Sequence, residues 1–257
     1  MEKDIKKMAL QKSMTIVDTC LKNAYNQLVR LNSNIFLMKK ILYFPFELLY
    51  PGHELHFWKL IYAALYESST LLIWHFVDPN PKALSLNKLK NIIRQCLSEN
   101  KRNQFDKTLK KIGSKGFNKI IKEIRNDIEE IRHKKIAHFE TEWWSKVSFE
   151  KLKKVFPPVS QLENHTKTLI RLFEQIAGFV WEGGRSYLPL EYNPQVEHPA
   201  GLEPDICWLL KLMAKESPLL NMPEKEPEYW KSLQKKLSGD EIKKLNLFRI
   251  KLGLLPK

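Results

Sequence analysis

Arginine and histidine, the two side chains best suited to work on a phosphodiester, stand close together in Arg132-His133-Lys134-Lys135-Ile136-Ala137-His138. A guanidinium stays charged and can hold a phosphate together with the negative charge that builds in its transition state. An imidazole titrates near pH 6.5 and can take or give a proton. The segment leading to this cluster carries Ile121, Ile124, Ile128 and Ile131 at three- and four-residue spacing. That spacing lines one face of a helix, predicted over about 117–139. One heptad beyond Ile131 the same face meets His138. Six positions set Arg132 and His138 about 120° apart on the rim of the stripe, with Lys135 between them. A face that should go on burying surface turns basic and titratable, which is where a site is built. Helix stability offers a plainer explanation. Basic groups in the closing turns are favoured by the macrodipole, at about 0.3–1 kcal/mol each.

The elements that must hold this segment read as helices. Residues 4–31 carry Ile5, Met8, Ile16, Val17, Cys20, Leu21, Ala24, Leu28 and Leu31 at helical spacing, a long amphipathic helix. A short second element follows at about 34–43 and ends near Pro45, and Pro51-Gly52 marks a turn. The next helix, about 54–77, is rich in aromatics (Phe57, Trp58, Tyr62, Tyr66, Trp74, Phe76), and Asp78-Pro79-Asn80-Pro81 stops it. Ser85 opens a helix of roughly 86–98. A lysine-rich stretch, loosened by Gly113 and Gly116, then leads into the 117–139 helix. Ser148 is an N-cap for a further helix, broken or kinked at Pro157-Pro158, resumed to about Val180 and ended by Gly183-Gly184. Residues 185–204, with four prolines, read as an extended linker. Short helices follow at about 205–215, 226–237 and 240–251, the last opened by a capping box from Ser238 to Glu241. The expected class is all-α: a helical bundle over 1–183, then a Pro-rich linker and a C-terminal helical appendage over 184–257.

The totals bound the partners. A chain of 257 residues suffices for one large domain or a domain with an appendage. A hydrophobic share of 43% excludes a disordered chain. A net charge of +14 attracts polyanions, of which nucleic acid is the commonest; a solvated lysine-rich surface is the blander account. Cys20, Cys96 and Cys207 form no CxxC pair, which fits a reducing, cytoplasmic setting. The first residues, Met1-Glu2-Lys3-Asp4-Ile5-Lys6-Lys7, lack the apolar core of a signal peptide. The apolar run Phe57 to Val77 is interrupted by Lys59, Glu67 and His75, so a core helix is expected and no membrane span.

Other candidates carry less. His53 and His56 are three apart, but no HExxH, CxxC or other ligand set completes a metal site, so neither metal nor cofactor is expected. Trp143-Trp144 could stack on bases beside Lys134, as aromatics do in single-strand binders, or simply bury area. His75 reads as a core-edge histidine, and His165 and His198 carry no signal.

Arg132-His133-Lys134-Lys135-Ile136-Ala137-His138 resembles the R-x4–6-H motif of HEPN domains. The aromatic helix from Phe57-Trp58 to Trp74, its Asp78-Pro79 stop, the Ser85-Leu86-Asn87-Lys88-Leu89 helix and the helix opening at Ser148-Phe149 resemble the abortive-infection branch of that family, over roughly 30–182. The chain departs from the family at His133, where members more often carry Asn. The resemblance implies a bundle that dimerises and brings two motifs together, and a metal-independent ribonuclease, in keeping with a toxin or defence effector held by an antitoxin or regulatory protein. It assigns His138 the acid/base role and Arg132 the phosphate, with His133 and Lys135 in support; Lys134 and Trp143 are expected as nucleic-acid contacts from their own residue types. Two further readings stand beside it: a non-catalytic HEPN-like module that binds RNA, nucleotide or protein, and a plain helical adaptor.

Overall fold

The computed structural model describes residues 2–44, 46–50, 55–112, 115–131 and 159–182, with short pieces between 206 and 247. Every regular element among the described residues is a helix, as expected from the composition. In chain order these are α1 (Glu2–Tyr43), α2 (Phe46–Leu49), α3 (His56–Val77), α4 (Leu86–Cys96), α5 (Glu99–Lys111), α6 (Phe117–Ile131) and α7 (Val159–Ala177). The most aromatic helix, α3, sits at the centre and packs on α1, α4, α6 and α7. Tyr62, Tyr66, Ile73 and Phe76 are buried on its inner faces. It is long and apolar enough to cross a membrane by composition alone, but here those faces are covered by the other helices.

α1 corrects the expected break. Asn32-Ser33-Asn34 has low helix propensity, yet the helix runs through it without interruption. The apolar phase explains why. Leu28, Leu31, Ile35, Met38 and Ile41 keep three- and four-residue steps across the polar triplet, and all are buried. The polar side chains are also occupied. Ser33 Oγ donates to the Val29 carbonyl at 2.9 Å, and Asn34 Nδ2 donates to Ser68 Oγ of α3 at 3.2 Å. Tertiary burial outweighs a propensity deficit of a few tenths of a kcal/mol per residue.

The lysine-rich stretch is likewise a helix, α5. Phe105, Leu109 and Ile112, at i, i+4 and i+7, anchor it in the core, and its lysines face outward. Helices α3 and α4 begin and end close to expectation, with Asp78 and Ser85 at the predicted boundaries. Between them Asp78 Oδ1 accepts from the Asn80 amide at 2.8 Å, and Asn80 Oδ1 from the Lys82 amide at 2.9 Å. These side-chain turns reverse the chain without a glycine. A true positive φ is needed before α6, where Gly116 stands at φ 77°. Any side chain there would be strained.

α7 starts directly after Pro157-Pro158 and ends at Ala177, three residues short of expectation. The amides of Val180 and Trp181 both turn back to the Ala177 carbonyl. Trp181 then ties this corner to α1, its Nε1 donating to Asp18 Oδ1 at 2.9 Å. Farther on, Ile206 and Leu210 are helical and buried against the bundle, and the Tyr50 hydroxyl donates to the Met213 carbonyl. The capping box is present as expected: the Ser238 amide donates to Glu241 Oε2 at 2.8 Å, and the Glu241 amide to Ser238 Oγ at 3.3 Å. The Ser148 N-cap and the helix predicted at 226–237 lie outside the described residues.

Candidate active site

The platform for the Arg132–His138 segment is α6. Its predicted stripe is buried along its whole length: Phe117, Ile121, Ile124, Ile128 and Ile131 are at most 4% exposed. Burying five such side chains contributes roughly 1.5–3 kcal/mol each, enough to fix the rotation and axial position of the helix. Two polar contacts add to this. Arg125 Nε donates to the Val77 carbonyl at 2.8 Å, closing the open C-terminal end of α3. One turn before Ile131, the Asp127 carboxylate meets His165 of α7, Oδ2 to Nε2 3.4 Å. The platform thus delivers the chain at Ile131 firmly seated and one residue before Arg132.

Arg132, His133, Lys134, Lys135, His138 and Trp143 themselves lie outside the described residues, so the predicted 120° arrangement has no structural counterpart here. Of the two histidines weighed as metal ligands, His56 stands exposed at the start of α3 and His53 lies outside the described residues. Among the described residues no group of three or more His, Cys, Asp or Glu side chains comes together.

His165 is the titratable group that sequence reasoning passed over. It is 38 residues from Asp127 and on another helix, so no spacing rule joins them. Burial holds its pKa below the ordinary value, and the Asp127 carboxylate opposes that shift only in part. The folded chain therefore takes up this proton less readily than the unfolded chain. Stability from His165 is complete above about pH 6.5, its ordinary pKa, and falls as the pH drops below it. Melting temperatures measured from about pH 8 down to about pH 5 should decline on the acid side, and His165→Gln should flatten that part of the profile. An unchanged slope in the variant would assign the decline to other groups.

A sequence model of the family described as AbiU2, of the HEPN class, matches residues 47–193, a span that contains α3 to α7 and the Arg132–His138 segment. No curated protein and no solved structure matches the chain.

Proposed function

Since the chain belongs to the AbiU2 family of HEPN proteins, we propose that it is a metal-independent endoribonuclease, acting as a toxin or defence effector, with Arg132 and His138 at its centre. The observation that supports this reading is that the family match spans 47–193 and so covers the positions from Arg132 to His138. The 2′-oxygen of a ribose attacks the adjacent phosphorus and the bond to the 5′-oxygen breaks. His138 takes the 2′-hydroxyl proton or gives one to the leaving oxygen. Arg132 holds the non-bridging oxygens as their charge grows. His133 and Lys135 support the pair, and Lys134 and Trp143 hold neighbouring nucleotides. The products carry a 2′,3′-cyclic phosphate and a 5′-hydroxyl. The test is cleavage of RNA in EDTA by the wild-type chain and by R132A and H138A. Binding of RNA without any product would instead make this a non-catalytic module.

A two-fold assembly that pairs two motifs needs a surface to bury. α3 presents one: Phe57, Leu60 and Leu71 are 53–66% exposed, and with Ala64 they follow a heptad pattern along its outer face. A second copy of the chain would cover this stripe. L60E/L71E places charges on positions already in water, so the fold should survive. Sedimentation should then show the mass halved, with cleavage falling in parallel. A wild-type chain that sediments as a monomer, or a variant that keeps the dimer mass, would rule this stripe out as the interface.

A further inference from the structure

At the opposite end of α6 from Arg132, the helices α4, α5 and α6 enclose an open cleft of about 720 Å³. Five cations line it (Lys90, Arg94, Lys110, Lys115 and Lys119) against one carboxylate, Asp106. Asp106 is committed to Arg94, whose Nε and Nη2 fork onto it at 2.8–3.2 Å. Lys115 reaches Glu123 at 3.1 Å. Lys90 is drawn partly out of water: its Nζ lies 5.0 Å from the centre of the Phe117 ring and donates to Asn118 Oδ1 at 2.9 Å. This desolvation holds its pKa below the ordinary lysine value, with Asp106 opposing. Lys110 and Lys119 are exposed at the rim.

Charge along α6 runs against helix stability. Its first turn holds no acid, and Lys119 sits there, where the macrodipole is positive. Such an arrangement is unfavourable in the free protein and is relieved when an anion enters the cleft.

We propose that this cleft is an RNA exosite, which holds the phosphates of a single strand while another part of the same strand lies at Arg132–His138. The proposal rests on the ribonuclease reading for the second half of that statement only; the cleft binds RNA whether or not the motif cuts it. RNA is favoured over an acidic protein because the cations spread over three helices, with the apolar Leu109 and Phe117 buried behind them, as phosphate contacts do. From Asn118 to the end of α6 is about 20 Å at 1.5 Å per residue. A stacked strand at about 3.4 Å per nucleotide spans that in roughly six nucleotides.

The test is fluorescence anisotropy on the full chain with a labelled single-stranded RNA of about 12 nucleotides, titrated across salt. K110E/K119E reverses two exposed charges outside the motif. Its affinity should fall at least about tenfold, and its salt slope should shrink by about 1.4, for two lost phosphate contacts at about 0.7 each. Its circular dichroism should stay that of the wild type. K110A/K119A should show the same direction with a smaller loss. H138A should bind as the wild type does, so failure of the nuclease reading appears in cleavage and failure of the exosite appears in binding. In cleavage, K110E/K119E should raise KM for RNAs longer than about six nucleotides and leave shorter ones unaffected, with kcat unchanged. Wild-type affinity and slope in K110E/K119E, in a folded chain, would overturn the proposal.

Discussion

Replacing His138 with alanine is expected to reduce RNA cleavage at least about 10²–10⁴-fold, the usual worth of a positioned acid or base. Arg132→Ala is expected to cost at least about 10²–10³-fold, through lost stabilisation of the phosphate charge. The two losses should not add when combined, because groups that act on one transition state fail together. Neither change should unfold the chain. Among the described residues the buried stripe of α6 runs to Ile131, and Arg125 on Val77 anchors the helix before the substituted positions. Thermal melts of both variants should therefore match the wild type while turnover disappears. Arg132→Lys separates charge from geometry: a lysine keeps the charge but loses the planar fork. It should restore part of the binding and little of the rate.

Phe105→Ala is expected to lower the unfolding free energy by about 3–5 kcal/mol, the usual cost of emptying a buried aromatic site. Phe105 is fully buried on α5 and meets the Phe179 ring edge-on, with centroids 5.0 Å apart and planes at 85°. That geometry adds about 0.5–1.5 kcal/mol beyond area burial. The pair joins α5 to the corner after α7, and α5 has few other anchors because most of its surface is lysine, asparagine and glutamine. Phe105→Leu should lose clearly less, since most of the volume is retained. Chemical denaturation would check both, through a midpoint that moves while the slope stays the same. Because α5 forms one wall of the basic cleft, Phe105→Ala should weaken RNA binding as well.

The elements most legible in the sequence were those with an unbroken apolar phase and a hard stop. α3 and its Asp78-Pro79 end, and α6 with its isoleucine stripe, were readable because periodicity and proline chemistry act locally. The continuity of α1 through Asn32-Ser33-Asn34 is harder to see, because the unbroken apolar phase from Leu28 to Ile41 competes with three poor helix formers, and the Asn34–Ser68 bond that occupies one of them comes from a distant helix. α5 is masked in the sequence by its lysines, although Phe105, Leu109 and Ile112 carry the i, i+4, i+7 spacing of its buried face. The cleft was not legible at all. Its lining comes from residues 90–119 on three helices, and nothing in the order of those lysines says that they converge. The same holds for His165, which acquires its meaning from Asp127 across the bundle. The residue types at Arg132–His138 suggest phosphodiester chemistry, and the family match spans the segment that holds them.

The most direct test is the identity of the ends left on a defined RNA after incubation with the wild-type chain in EDTA, read by mass spectrometry beside H138A. Fragments ending in a 2′,3′-cyclic phosphate and beginning with a 5′-hydroxyl, absent with H138A, are the predicted result. Intact RNA with the wild-type chain, cleavage that requires a divalent ion, or equal cleavage by H138A would contradict it.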